Sequence, residues 1–138
     1  MTTLSSPAVN PAALPLTRLA APAGRTLLAG LFLISGAGKL AAYEASQGYM
    51  EAMGVPGALL PAAIAFEILT PLALIAGFKA RLAAVLLAGF SIVAAVLFHS
   101  NFADQIQQIM FFKNLSIAGG LLMIAANGPG AFALEHRR

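Results

Sequence analysis

Five residues in this chain could do chemistry, and all five stand in or beside apolar runs where they are costly. Glu67 sits in AIAFEILTPLA, residues 63–73. Lys39 is the next-to-last residue of GLFLISGAGKL, His99 ends VAAVLFH, and Lys113 and Asn114 open KNLSIAGGLLM. A charged side chain at the centre of a bilayer costs on the order of 3 kcal/mol, so each asks for a partner or a use. A carboxylate and a histidine can take up and pass protons. Lysine and asparagine can donate hydrogen bonds to a ligand oxygen. The set therefore suits proton-coupled binding of a small molecule: Glu67 and His99 are the candidate catalytic groups, and Lys39, Lys113 and Asn114 the candidate ligand-binding groups.

Other chemistries are excluded or poorly supported. There is no cysteine, which removes thiol chemistry, iron–sulfur clusters and thiolate zinc sites built from this chain alone. A single intramembrane histidine with no second well-placed one argues against haem or a metal centre. GAGKL at 36–40 lacks the glycine and the hydroxyl residue of a phosphate loop, since Leu33 and Leu40 occupy those places. Eight Lys and Arg are too dispersed for a nucleic-acid surface.

The elements that must position these residues are membrane helices. Of 138 residues 59% are apolar and 9% charged, with mean hydropathy +0.86, whereas soluble domains carry about 25% charged residues. Residues 1–24 hold Pro7, Pro11, Pro15 and Pro22 and read as a disordered N-terminal tail without a cleaved signal. Four hydrophobic segments follow, at 26–42, 57–78, 82–98 and 106–126. At about 1.5 Å per residue they can cross a hydrocarbon core about 30 Å thick, and without barrel alternation only helices satisfy the backbone in lipid. The expected fold is an all-α, integral membrane four-helix bundle over 25–134, with a basic tail at 135–138.

Basic residues set the topology. Arg18 and Arg25 precede the first segment, Lys79 and Arg81 join the second to the third, and Arg137 and Arg138 end the chain, whereas Glu44, Glu51 and Asp104 mark the other connections. The positive-inside rule puts both termini in the cytoplasm, with Arg81 serving topology and lipid phosphate. Tyr43, Tyr49, Met50 and Met53 could line a short interfacial helix in the first outward loop.

Depth then suggests contacts. Glu67 lies roughly 15 Å into its helix, Lys113 about 10 Å below the outer boundary and Lys39 about 5 Å, so Lys113 is the better-matched partner for Glu67. Pro71 lacks the N–H that would bond the Glu67 carbonyl. Gly119 and Gly120 suit close helix packing, and Ser91 and Ala95 below His99 admit a neighbour or a ligand. Phe98, Phe102, Phe111 and Phe112 are near enough in sequence to offer ring contacts.

With FEILTPLALIAGFKAR at 66–81 and NGPGAFAL at 127–134, the segments quoted above occur in an order that resembles the DoxX family of small four-helix membrane proteins, from Arg25 to Leu134. The family's recurring polar positions correspond here to Lys39, Glu67, Arg81, His99, Lys113 and Asn114, with Gly128, Pro129 and Gly130 in the closing turn. The resemblance implies an inner-membrane subunit of a quinone-linked oxidoreductase, related to the DoxD subunit of thiosulfate:quinone oxidoreductase, or a partner of redox-defence enzymes. The expectation is a quinone or quinol headgroup bound in an outward-facing polar cavity. A cofactor or second subunit would supply electrons. The expected partners are the lipid bilayer, a soluble or membrane redox subunit, and a further copy of the chain. The rival readings are a proton-linked transporter of a small solute and a structural anchor for a soluble enzyme.

Overall fold

A computed structural model describes residues 14–135. In chain order the helices are α1 (Leu14–Ala41), α2 (Tyr43–Ala52), α3 (Leu60–Ala76), α4 (Ala80–Phe98) and α5 (Gln105–Asn127), with a single 3₁₀ turn at Gly57–Leu59 before α3. Four are long and apolar enough to cross a membrane, α1 over Arg18–Ala41, α3 with its 3₁₀ turn, α4 and α5. The described residues contain no strand.

The first segment departs from the sequence reading. α1 starts at Leu14, so residues 14–24, assigned to a disordered tail, are helical. Pro15 falls in the first turn, where a helix leaves N–H groups unused, and Pro22 removes only one interior bond. Thr26 also returns its hydroxyl to the Pro22 carbonyl at 2.8 Å. Arg25 consequently lies inside the helix rather than ahead of it. The remainder of the expected tail, residues 1–13, lies outside the described residues, as do Arg137 and Arg138.

Turn chemistry ends α3 and begins α5. Gly77 takes φ +72° after α3, and its N–H and that of Phe78 return to the carbonyls of Leu74 and Ala73, the left-handed stop that glycine adopts without strain. Asp104 caps α5 by accepting the Ile106 N–H at 2.9 Å.

α1 packs on α3, α4 packs on α5, and α3 joins the two pairs along α4; α1 meets α5 sparingly. The main core is rich in alanine, with Ala29, Ala80, Ala84, Ala88 and Ala118 around Leu74, Leu87 and Leu121, so the helices approach closely. A smaller cluster of Met50, Leu60 and Ile64, with Tyr43 and Phe98 against it, ties α2 to the bundle end. Leu27, Ile34, Leu69, Leu82, Val85, Val96 and Leu122 point outward. An apolar exterior is what lipid as solvent permits.

Candidate functional site

Glu67 is 2% exposed, and its partner comes from α1. Lys39 Nζ lies 3.0 Å from Oε2 and 3.1 Å from Oε1. Ser35 Oγ donates to Oε1 at 3.1 Å and accepts from Lys39 at 2.8 Å. The ammonium straddles both oxygens, yet its directed bond goes to Oε1, and Oε2 receives no well-aligned donor. Ser35 and Lys39 are one turn apart on one helix face. Between them Gly36 lets α3 approach so closely that a Cβ there would stand 3.0 Å from Ile68 and 3.1 Å from the Glu67 Cβ.

This pairing corrects the depth argument, which matched Glu67 with Lys113. Axial depth says nothing about which helices adjoin: α1 is the neighbour of α3, whereas α5 packs on α4. The flexible lysine stem covers the axial offset that counted against Lys39. Pro71 is buried beside this site, and α3 runs through it unbroken.

Lys39, Glu67, His99, Lys113 and Asn114 all line one cavity of about 680 Å³. Each side of it comes from a different helix, α1, α3, α4 and α5, and α2 covers one end with Ser46, Tyr49 and Met50. The walls are otherwise mostly apolar. Phe90 lines the cavity and packs on Phe66 at 5.0 Å, and Tyr49 stacks on Phe98 at 5.6 Å. Ser91, 3% exposed, adds a hydroxyl. An apolar chamber with a few convergent polar groups is the usual form of a small-molecule site.

His99 Nδ1 and Gln107 Oε1 lie 2.8 Å apart, a hydrogen bond that holds the ring at the end of α4 against α5. Lys113 is exposed on the cavity wall, and among the described residues it has neither an ion-pair nor a hydrogen-bond partner. Of the four phenylalanines offered as ring contacts only Phe98 reaches the cavity. Phe102, Phe111 and Phe112 pack on one another, with centroids 5.0 to 6.4 Å apart. Ser35 and Phe90 escaped the sequence reading because a hydroxyl or a ring in an apolar helix is ordinary, whereas Tyr49, read as an interfacial residue of the first outward loop, lines the cavity. Among the described residues no three His, Asp or Glu side chains are placed to hold a metal.

The opposite end of the bundle holds a second polar node. Arg25, 1% exposed, donates through Nη1 to the carbonyls of Pro129 and Ala131, the latter at 3.0 Å. Through Nη2 it reaches Phe132 at 3.0 Å and Ile75 at 3.4 Å. The sequence reading gave Arg25 a topological role only; carbonyl acceptors have no side-chain signature, so nothing in the sequence marks the contact. Gly128 and Gly130, at φ +85° and +77°, bend the segment around the guanidinium, and Gly130 faces Ala21. The N–H groups of Leu134 and Glu135 then bond Ala76 and Gly77.

Arg81 donates to the Ala126 carbonyl at 3.3 Å and adjoins Gly128, away from the cavity. Gly120 faces Leu28 of α1, where a Cβ would make ordinary contact at 3.4 Å, whereas a Cβ on Gly119 would meet nothing within 4 Å. Gly120 therefore faces α1 and Gly119 does not, and at neither position is the approach so close that only glycine fits.

Four apolar spans around a ligand-sized chamber, with charged groups buried between helices, define a small helical membrane protein with an internal polar site. The DoxX family pattern matches residues 20–100, and the chain belongs to the DoxX family. Inner membrane protein YqjF of Escherichia coli K12 is 48% identical over 111 residues, covering 80% of this chain and 85% of the relative. Inner membrane protein YphA of the same organism is 35% identical over 114 residues, covering 78% and 81%. No solved structure matches. With its four spans, the chain is a multi-pass inner-membrane protein.

Proposed function

We propose that this chain is the quinone- or quinol-binding membrane subunit of a redox system. The observation that carries the reading is the chamber of about 680 Å³ onto which Lys39, Glu67, His99, Lys113 and Asn114 converge between apolar and aromatic walls. A flat, apolar ring with oxygens at its edge fits such a place. The rings of Phe90 and Phe98 offer faces, and the ammonium of Lys113 with the amide of Asn114 offers donors to a ring oxygen. Glu67 takes or passes the proton, buffered by Lys39, and His99 connects to the end of the bundle where Glu44, Glu51 and Asp104 lie. Arg18, Arg25, Lys79 and Arg81 gather at the other end, which the positive-inside rule puts in the cytoplasm, so the chamber opens outward. Electrons would come from a partner subunit or its cofactor, since these side chains carry none.

The test is direct. Protein in nanodiscs is titrated with a short-tailed quinone and its quinol, followed by absorbance. Saturable binding is expected, weakened tenfold or more by Lys113→Met or Asn114→Leu. Solute-driven proton flux in liposomes without quinone binding would favour a transporter instead. Folding defects alone in Glu67→Gln, with no binding to lose, would favour an anchor.

A further inference from the structure

The charges around the chamber do not cancel. From α1 comes Lys39 and from α3 Glu67, and these two are engaged with each other at 3.0 Å. From α4 comes His99, held through Nδ1 by Gln107. From α5 comes Lys113, exposed on the wall and unpaired among the described residues. α2 contributes Tyr49 but neither Glu44 nor Glu51, and Asp104 does not line the chamber; Asp104 instead caps α5. Glu51 faces Gly57 and Gln47. One ammonium is thus left without a counter-charge in a largely apolar chamber, beside the amide of Asn114.

We infer that the ligand is held as an organic anion, with an ionised ring oxygen set against Lys113 and Asn114. This rests on the quinone reading and narrows it: a headgroup bearing an acidic hydroxyl is preferred over one whose oxygens are all neutral carbonyls or ethers. The reason is electrostatic. An opposite charge within about 4–6 Å stabilises an ionised oxygen by about 1–3 pH units, more strongly where water is sparse. Glu67 cannot supply that charge balance, because Lys39 already occupies it. The two lysines therefore divide their tasks: Lys39 holds the protein's own carboxylate and Lys113 holds the ionised ring oxygen of the ligand.

The probes are a 3-alkyl-2-hydroxy-1,4-naphthoquinone, whose anion is coloured, and its 2-methoxy ether, which cannot ionise. Both are titrated into the full-length protein in nanodiscs and into empty nanodiscs. The hydroxy compound is expected to bind at least tenfold tighter than the ether and to ionise about one to three pH units lower than in empty nanodiscs. Lys113→Met should abolish both differences, and Lys113→Arg should keep them. Equal binding of the two compounds, with no shift in ionisation, overturns the anion assignment and leaves the quinone reading standing. Binding of neither compound to protein that keeps its helical circular dichroism sinks both.

Discussion

Lys39 and Glu67 meet across the seam between α1 and α3, the lysine nitrogen 3.0 Å from one carboxylate oxygen and 3.1 Å from the other. The carboxylate is 3% exposed and the lysine side chain 30%, so the two are unequal partners. Glu67 depends on Lys39 for its charge balance, while Lys39 retains access to the chamber. Removing one member of a buried pair leaves an uncompensated charge and costs about 3–5 kcal/mol, whereas replacing both by apolar residues is often near neutral. Lys39→Met should therefore lower the unfolding midpoint in detergent more than the double variant Lys39→Met/Glu67→Leu does. A double variant as unstable as the sum of the singles would show that the pair does not couple.

Arg25 is the corresponding tie at the other end of the bundle, where one guanidinium serves carbonyls from α3 and from the closing segment. A guanidinium carries five donors in a fixed fork and an ammonium only three on a single atom, too few for the four carbonyls gathered here. Arg25→Lys should leave at least one buried carbonyl without a donor, at about 1–3 kcal/mol each. The local readout is hydrogen exchange at Leu134 and Glu135, whose amides bond Ala76 and Gly77. Their protection should fall tenfold or more in Arg25→Lys, while amides in the middle of α4 change little.

These two ties show what a sequence of this kind discloses. The sequence reading begins α3 at Gly57, the first residue of the 3₁₀ turn, and the edges of α4 and α5 fall within two residues of the observed ones, because a bilayer demands long uninterrupted apolar runs. The polar residues that share the chamber stand out for the same reason, each being expensive where it lies. Helix adjacency is not written in this way. Depth along the axis follows from counting residues, but the neighbour of α3 is decided by how alanines and Gly36 pack, so Lys113 looked the better partner and Lys39 is the actual one. Arg25 was invisible for another reason: its acceptors are backbone carbonyls brought in by residues 129–132, about a hundred positions away. The start of α1 was misplaced because prolines in a first turn and at one interior site look the same, in sequence, as prolines in a tail.

Gly36 tests whether the α1–α3 seam sets the ion pair. A Cβ there would meet Ile68 and Glu67 at 3.0–3.1 Å, whereas Gly38, two residues on, has nothing within 4 Å. Gly38→Ala should be neutral or stabilise by up to about 1 kcal/mol through helix propensity. Gly36→Leu should push the helices apart and cost about 1–3 kcal/mol by overpacking. If the seam is what brings Lys39 to Glu67, adding Lys39→Met to Gly36→Leu will cost less than Lys39→Met alone, since the pair is already strained. Independent, additive losses in the melting curves would show that Gly36 and the pair act separately.

Gly77 joins two demands at one residue. Its φ of +72° closes α3, and a Cβ would run into Ala133 of the closing segment. Gly54 has a similar φ of +82°, with nothing within 4 Å of its missing side chain, so it isolates the backbone part of the cost. Alanine in the left-handed region costs on the order of 1 kcal/mol. Gly54→Ala should lose about that much. Gly77→Ala should lose more, because residues 133–135 must move away and the bonds from Leu134 to Ala76 and from Glu135 to Gly77 go with them. Protease sensitivity of the closing segment separates the two effects: it should rise in Gly77→Ala and stay at the parent level in Gly54→Ala. Equal stability losses with no new cleavage would mean that the closing segment contributes nothing at this contact, and that Arg25 alone retains it.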